Sequence, residues 1–172
     1  MGVLNELGIG APKSNAAQRT IQYLAASTPG AWLSSKFLHG VDKLFFRSSN
    51  GRVTATSLLA GLPVVMLTTT GRKSGQPRKT PLLGISSGEN VAIIGSNFGQ
   101  ELAPGWVYNL ESNPVATLAY GNNEVTVTAR RADNAETDAT FEIATRVYPG
   151  YGRYRARADH REIRVMVLEL DR

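Results

Sequence analysis

The pattern of apolar residues changes near residue 60. Before that point apolar residues recur at three- and four-residue spacings, which favours helices at residues 16–26 and 31–47. Residues 1–15 contain glycine, proline and serine without a clear period, so we expect a mobile arm or a loose helix there. Within one structural domain overall, we predict an N-terminal helical arm over residues 1–60 and a cofactor-binding part over residues 61–172.

From residue 62 onward the apolar residues alternate with polar ones or form short β-branched runs, a pattern typical of strands. The sequence Gly-Asn-Asn at residues 121–123 predicts a hairpin turn. Strands are predicted at residues 63–69, 78–85, 90–96, 115–120, 124–130 and 163–170, with helices at residues 103–112 and 133–147.

This order of elements predicts an α+β protein. Strands that follow one another through short turns favour an antiparallel sheet or a small barrel. We expect about six mostly antiparallel strands with flanking helices. Regular alternation of strands and helices is missing from the pattern, so a doubly wound nucleotide-binding fold is not expected.

The predicted helix at residues 31–47 is amphipathic and basic. Lys36, His39 and Lys43 share one face, and apolar residues occupy another. Such a helix packs on its own domain, or it rests on a membrane surface or covers a cofactor site. The sequence leaves these alternatives open.

Composition removes several classes of chemistry. The chain of 172 residues has no cysteine, which excludes disulfides, thiolate zinc sites, iron–sulfur clusters and cysteine nucleophiles. Its histidines, His39 and His160, show no ligand spacing, so no metal site is expected. A serine hydrolase would need a serine, a histidine and an acid, and only these two histidines are available. With so few reactive groups of its own, the chain is expected to bind a cofactor.

A formal charge of +5 is compatible with an anionic partner but does not by itself identify one. Nucleic acid, a membrane surface and an anionic small ligand all meet that description, but no nucleic-acid-binding motif is visible. The longest apolar run, residues 58–67, is well short of the roughly 20 residues that span a bilayer. No signal-peptide pattern is present, so we expect a cytoplasmic protein.

The first candidate site is the basic segment at residues 68–81. It contains Arg72, Lys73, Arg78 and Lys79 and no acidic residue. Gly71 and a second glycine allow the backbone to approach a ligand closely. Backbone N–H groups and guanidinium groups together suit a phosphate or a carboxylate. The alternative is a solvated hairpin tip.

The second candidate site joins the end of a strand to the start of a helix, at residues 93–99 and 103–109. Trp106 and Asn109 share a helix face, and an aromatic ring beside an amide suits a planar ligand with polar edges. The alternative is that Trp106 belongs only to the core.

The third candidate site is a run of tyrosines. Tyr148, Tyr151 and Tyr154 recur at every third residue and would lie on one side of a helical turn. A phenol stacks on a substrate ring, donates a hydrogen bond or supplies a proton. Plain packing and a platform for RNA bases are the alternatives.

These three segments, in this order, resemble the deazaflavin (F420)-dependent nitroreductase and quinone reductase family of small actinobacterial oxidoreductases. The strongest match is Leu-Thr-Thr-Thr-Gly-Arg-Lys-Ser-Gly-Gln-Pro-Arg at residues 67–78, followed by Pro81 and Leu82. Ser96, Trp106, Asn109 and the tyrosine pattern follow in register. The resemblance covers roughly residues 62–170 and implies a split β-barrel fold.

The resemblance also implies a cofactor and a reaction. Reduced coenzyme F420 would donate a hydride to a quinone, a nitroaromatic compound or an activated enone. This cofactor carries a phosphodiester and a polyglutamate tail, which gives the basic segment a ligand. The implied phosphate and tail contacts are Arg72, Lys73, Ser74 and Arg78. The residues implied to run beside the cofactor are Lys79, Thr80, Pro81, Leu82, Leu83 and Gly84. Those implied to line the ring are Ile94, Gly95, Ser96, Asn97, Gly105, Trp106, Val107, Tyr108 and Asn109.

On the acceptor side, the resemblance implies that Tyr148, Tyr151 and Tyr154 close the pocket and that one of them protonates the product. Asn97, Gly105 and Leu83 stand where a nitroreductase of this family has lysine, methionine and tyrosine. These positions border the ring and the acceptor, so the resemblance does not extend to nitro-prodrugs.

Other roles fit a related fold. One is an F420-binding or storage protein with little turnover, and another is a split-barrel protein that binds FMN or haem. The expected partner is a small-molecule acceptor and not nucleic acid. Peripheral contact with the inner face of the cell membrane through the N-terminal helix is an alternative, and the sequence does not predict an oligomeric state.

Overall fold

The structure is a computed structural model, and it describes residues 2–10, 63–158 and 160–171. The predicted helices at residues 16–26 and 31–47, and His39 with them, lie outside the described residues. The described elements are α1 (Val3–Leu7), β1 (Val64–Thr70), β2 (Pro77–Leu83), β3 (Ile85–Ser87), β4 (Asn90–Ile94), a short turn (Asn97–Gly99), α2 (Gly105–Ser112), β5 (Val115–Tyr120), β6 (Asn123–Arg131), α3 (Asn134–Val147), α4 (Gly150–Arg157) and β7 (Val165–Leu170).

The strands of the described part form one sheet in the order β2-β1-β5-β6-β7-β4-β3. Every neighbouring pair is antiparallel, as predicted. Side chains of Val65 on β1 and Val91 on β4 share one core cluster, although three strands separate β1 from β4 in the sheet. The sheet is therefore curled around its own core.

The curl is set at Gly84. This single residue separates β2 from β3, yet the two strands are the opposite edges of the sheet. Its N–H donates to the carbonyl of Pro63 at 2.9 Å. A Cβ atom at Gly84 would lie 3.1 Å from a methyl group of Val65. The bend thus leaves little room for a side chain.

The prediction of one strand at residues 78–85 is wrong, because that segment contributes to two strands at opposite edges. Ser86 and Ser87, which lie between the predicted strands at residues 78–85 and 90–96, belong to β3, and the turn that follows has Gly88 at φ +60°. An apolar run that crosses from β2 to β3 looks continuous in sequence, and Gly84 was the one local sign of a break.

Residues 2–10 close one side of the curled sheet. Val3 and Leu7 of α1 are fully buried in the same cluster as Val65. The N–H of Leu4 donates to the carbonyl of Glu89 at 3.0 Å. For these residues the helix alternative is confirmed and the mobile-arm alternative is wrong. The boundary of the arm stays a prediction, since residues 11–62 are outside the description.

The core has two parts, and β4 and β7 supply both. Val91 and Ile93 of β4 point into the cluster inside the curl, where Trp106 and Val107 of α2 also pack. Ala92 and Ile94 point to the other side, against α3 and α4. Because both faces of these strands are buried, they appear in the sequence as continuous apolar runs rather than as alternating ones.

One edge of the sheet is polar. Most residues of β2 are exposed, and the strand contains Pro77 and Pro81. Proline has no backbone N–H, so on a paired strand it occupies positions whose amide would point away from the partner strand. Pro77 and Pro81 are paired with Thr70 and Met66 of β1. Both prolines therefore face the outer edge of the sheet.

The described residues contain no helix that is both long and apolar enough to cross a membrane. Over the same residues there is no group of three or more potential metal-ligating side chains.

Helix α3 begins with a network of hydrogen bonds and ion pairs. The Asp133 side chain accepts from the N–H of Glu136 at 2.8 Å, and the Glu136 side chain accepts from the N–H of Asp133 at 3.0 Å. Arg130 on β6 donates to both oxygens of Glu136, at 2.6 and 2.7 Å, and to Glu169 on β7 at 2.9 Å. The hydrogen bond from Arg130, followed by that from the Asp133 backbone, lowers the pKa of Glu136 to about 2.

We predict that Glu136→Gln destabilises the protein at neutral pH and that the difference from the wild type disappears in acid. The folded-state pKa of Glu136 lies below its ordinary value of 4.5, so its stabilising effect is present above pH 4.5 and is lost as pH falls toward 2. Chemical denaturation of both proteins from pH 7 to pH 2 measures this. Glu142→Gln, in an exposed ion pair on the same helix, is the control. A stability difference that does not depend on pH would contradict the prediction.

Candidate active site

The basic segment forms a compact turn between β1 and β2. The N–H of Gly71 donates to the carbonyl of Gln76 at 2.9 Å, and that of Gly75 donates to the carbonyl of Gly71 at 2.7 Å. Gly75 has φ +66°, which glycine adopts without strain. A Cβ atom at Gly71 would lie 2.8 Å from Oγ of Ser74. Both glycines are therefore required by the shape of this turn.

Helix α2 holds this turn through Asn109. Its Oδ1 accepts from the N–H of Arg72 at 3.1 Å, and its Nδ2 donates to Oγ1 of Thr69 at 3.0 Å. Thr69 Oγ1 in turn donates to the carbonyl of Arg78 at 3.5 Å. One amide side chain thus fixes both the last part of β1 and the first residue of the turn.

The neighbouring Tyr108 fixes the side chain of Arg72. The guanidinium carbon of Arg72 lies 4.7 Å from the centre of the Tyr108 ring, and that of Arg164 lies 5.2 Å from it. Arg164 also pairs with Glu111 of α2 at 3.1 Å. Its Nη1 is a buried donor without a hydrogen-bond partner in the described structure. A tyrosine face thus gathers two guanidinium groups beside the turn.

The turn presents positive charge to solvent. The side chains of Arg72, Lys73, Arg78 and Lys79 are exposed, and no acidic residue occurs between residues 68 and 81. Ser74 organises the segment from within, because its Oγ accepts from the N–H of Gln76 at 3.3 Å and from Arg78 at 3.4 Å. The donor set suits a phosphate or a carboxylate.

A strained turn follows β4. Asn97, Phe98 and Gly99 have φ values of 44°, 56° and 78°. For a residue with a Cβ atom the left-handed region costs about 1 to 2 kcal/mol, and only glycine enters it freely. The Phe98 ring contacts the ring of Tyr154 edge to face, with 5.6 Å between the centres. Such strain persists only where the surroundings impose it.

Arg161 imposes part of that constraint. Its guanidinium donates to the carbonyl of Ser96 at 2.8 Å, of Gln100 at 2.9 Å and of Gly95 at 3.3 Å. Arg161 is not among the site residues predicted from the sequence. Its partners are backbone carbonyls, which leave no pattern in a single sequence, so no sequence signal could have identified this role.

The three tyrosines come together as predicted. Tyr148 lies at the end of α3, and Tyr151 and Tyr154 lie on α4. Their ring centres are 6.0 to 6.2 Å apart, and Oη of Tyr148 is 3.3 Å from Oη of Tyr154. Tyr151 also contacts Phe141 edge to face. The prediction that the three tyrosines lie together on one side is confirmed, although Tyr148 lies in the connection before α4 and not on a helical turn.

Burial determines the ionisation of two of these phenols. Tyr151 and Tyr154 are almost fully buried, whereas Tyr148 is half-buried. Burial, with the neighbouring phenol of Tyr148 as a second cause, raises the pKa of Tyr151 and of Tyr154 above the ordinary range. Both therefore keep their protons at neutral pH and remain hydrogen-bond donors.

The other predicted site residues fall into three groups. Leu83 and Ile94 pack in the cluster that contains the tyrosines. Leu82, Trp106 and Val107 pack in the cluster inside the curl, and Trp106 is only 5% exposed, so it is a core residue whatever else it contacts. The remaining predicted residues lie along β2 or around the α2 entry: Lys79, Thr80, Pro81, Gly84, Gly95, Ser96, Asn97 and Gly105.

The connection that leads from β4 to α2 is tightly packed at Gly95. Its N–H donates to the carbonyl of Arg164 at 2.8 Å. A Cβ atom there would lie 2.8 Å from a methyl group of Val107 and 3.0 Å from the carbonyl of Arg164. The end of β4 is therefore fixed against α2 on one side and the start of β7 on the other.

Comparison with known proteins decides the family. A model of the F420H(2)-dependent quinone reductase family matches residues 40–170, which is most of the chain. The chain belongs to the F420H(2)-dependent quinone reductase family. The resemblance read from the basic segment, Ser96, Trp106, Asn109 and the tyrosines is thereby confirmed, as is the assignment of the family's cofactor, reduced F420.

Among the relatives is an F420H(2)-dependent quinone reductase of Mycobacterium tuberculosis, 33% identical over 93 residues. That alignment covers 54% of this chain and 62% of the relative. The match thus spans less than two thirds of the length of this relative.

Solved structures support the fold. The structure of an F420-H2 dependent reductase, FDR-A, is 32% identical with a TM-score of 0.57, and the match covers 62% of this chain and 94% of that one. A second structure, described as a domain-swapped dimer, is 26% identical with a TM-score of 0.59 and matches 83% of this chain and all of that one. The predicted split β-barrel fold is confirmed.

The described residues fit the cofactor of this family. A phosphodiester and a polyglutamate tail need exposed cationic and N–H donors, and the turn offers Arg72, Lys73 and Arg78 with no acidic residue between residues 68 and 81. The donor set and the lack of competing acids are what the anionic part of a deazaflavin requires.

We predict that Asn109→Ala loosens the basic turn without unfolding the protein. The change removes two hydrogen bonds, each worth about 1 kcal/mol, so the Arg72 amide should exchange its hydrogen faster. Hydrogen exchange read by mass spectrometry or NMR measures this. The matched control is Asn113→Ala, which removes a bond to the N–H of Val115 at the far end of the same helix. Equal exchange at Arg72 in the two variants would overturn the assigned role of Asn109.

Proposed function

We propose that this chain is a reductase that uses F420H2 to reduce a quinone by two electrons. The observation that carries the proposal is the family membership of residues 40–170 combined with the fixed basic turn at Arg72. Nitroaromatic compounds and activated enones are further acceptors in the proposal. When bound, the reduced deazaflavin supplies a hydride, and the quinone gains that hydride and one proton.

We assign binding of the anionic part of F420 to the basic turn. Arg72 is held at its backbone by Asn109 and at its side chain by Tyr108, so little ordering remains when an anion binds. Lys73 and Arg78 lie on the same turn and add charge. Preorganised guanidinium groups bind phosphate through charge-assisted hydrogen bonds.

The acceptor side is assigned to the tyrosines. Tyr148 is the most accessible of the three, and its Oη lies next to Oη of Tyr154. We infer that Tyr148 donates a hydrogen bond to the acceptor oxygen and that Tyr154, whose raised pKa keeps it protonated, supports that hydroxyl from behind. Tyr151 packs against Phe141 and supports the rings of Tyr148 and Tyr154 from the side of the core.

Cofactor affinity should depend on the basic turn. We predict that Arg72→Ala combined with Lys73→Ala raises the Kd for F420 by about tenfold or more, since about 1.4 kcal/mol corresponds to each factor of ten. Fluorescence titration at low and at physiological salt measures it. Arg131→Ala with Arg146→Ala removes the same charge from exposed ion pairs elsewhere and is the control. An unchanged Kd in the first double variant would refute the assignment of the turn.

Turnover should depend on the tyrosine hydroxyls. We expect Tyr148→Phe to lower kcat for menadione reduction by about tenfold while the Kd for F420 stays the same. Tyr120→Phe, at the end of β5, is the control. Stopped-flow measurement of menadione reduction by the wild type and both variants tests this expectation. An unchanged kcat in Tyr148→Phe would refute the assigned role of the Tyr148 hydroxyl.

The storage alternative makes a different prediction. A carrier would bind F420 with micromolar affinity and would not oxidise F420H2 in the presence of menadione. Family membership favours the deazaflavin over FMN and haem as the bound group. Membrane contact through residues 31–47 stays a prediction outside the described residues, and flotation with anionic vesicles tests it.

A further inference from the structure

We propose that Phe98 determines acceptor specificity, favouring quinones whose ring is fused to an aromatic ring, and that Arg161 is the residue that positions it. This inference rests on the proposed reductase function and deepens it. It adds to the tyrosines a residue on a different element, at the turn after β4.

The first observation is the exposure of Phe98. It is one of the few large apolar side chains of the described part that face solvent, with 39% of its surface exposed. The rest of the ring packs edge to face on Tyr154, whose hydroxyl meets that of Tyr148. The exposed part therefore extends the aromatic surface of the tyrosines outward. A second aromatic ring on an acceptor would find a stacking partner there.

The second observation is the backbone at this position. Phe98 has φ 56° and ψ 21°, a conformation that disfavours a residue with a large side chain. Gly99 follows at φ 78°, and a Cβ atom there would lie 2.7 Å from Cβ of Arg157 and 3.2 Å from the carbonyl of Tyr154. The turn is thus pressed against α4. Because the Phe98 ring is only partly buried, packing on Tyr154 is a weak reason for a phenylalanine in a strained turn, and use by a ligand is the stronger one.

The third observation is the set of bonds that hold the turn. Arg161 donates to the carbonyls of Gly95, Ser96 and Gln100, which lie on both sides of Phe98. From within the turn, Nδ2 of Asn97 donates to the carbonyl of Leu102 at 2.8 Å. These bonds keep the turn closed and so keep the Phe98 ring on Tyr154. Arg161 acts through this turn, so its role is positioning.

The test compares acceptors rather than activity alone. Menadione has a fused aromatic ring and 1,4-benzoquinone does not. We expect Phe98→Ala to raise KM for menadione by about three- to tenfold, to leave KM for benzoquinone and the Kd for F420 unchanged, and so to abolish the preference between the two. Leu102→Ala, which truncates a 71% exposed leucine of the same connection, is the control and should keep the preference.

A second variant separates the effect of losing the ring from the effect of misfolding. Phe98→Gly removes the same ring but relieves the left-handed strain at φ 56°. It should therefore lose the menadione preference just as Phe98→Ala does, while unfolding at a higher temperature than Phe98→Ala. A menadione preference that survives in both variants would overturn the proposal.

Arg161 is tested by a double-mutant cycle. Arg161→Gln should raise KM for menadione, Arg161→Lys should do so less, and Phe98→Ala combined with Arg161→Gln should be no worse than Phe98→Ala alone. Additive effects would mean that Arg161 does not act through Phe98 and would overturn that part of the proposal.

Calorimetric titration of the two quinones into the protein, with and without oxidised F420, separates this inference from the proposed function. Tighter binding of menadione that Phe98→Ala abolishes would support the role of Phe98 even if no F420H2 were oxidised. Equal binding of both quinones to the wild-type protein would overturn it, even if the protein proved to be an active reductase.

Discussion

Gly84 connects two strands that lie at opposite edges of one sheet, and this connection has only one residue. The sheet must curl until its edges come near each other, and the apolar side chains of β1 and β4 then meet inside the curl. A side chain at Gly84 would press on Val65 and Val91. The turn at Arg72, the helix that holds it and the tyrosines on the far side of β4 all take their positions from that closure.

Much of the fold was predictable because its hydrophobic patterns are local. The alternation around Val127 and the turn at Gly121 gave the β5–β6 hairpin close to its observed bounds. What local patterns could not give was the break at Gly84, since the apolar run continues across it. The packing of Val3 and Leu7 into the core could not be predicted either. Their helix has only five residues, which is too short to show the periodic pattern of apolar residues that marks a helix.

The site shows the same division. Basic residues, glycines and tyrosines at regular spacing are visible in the sequence, and the structure brings the members of each set together. The hydrogen bonds that hold these residues in place are not visible in the sequence. Asn109 bonds to an amide of the turn and Arg161 to backbone carbonyls, and neither bond requires a particular residue type at the other end. Single-sequence reasoning predicts groups for contact with a ligand and could not assign the hydrogen bonds that hold those groups in place.

The anionic ligand would approach a strand at the open edge of a sheet. An exposed edge strand invites pairing with a strand of another chain, which leads to aggregation. Pro77 and Pro81 leave this outer edge without an N–H at two alternate positions, and lysine at position 79 stands between them with its charge. The edge of β2 is consequently a poor template for another strand. The border that would face the proposed ligand can stay open to small molecules while it discourages the growth of β-structure from it.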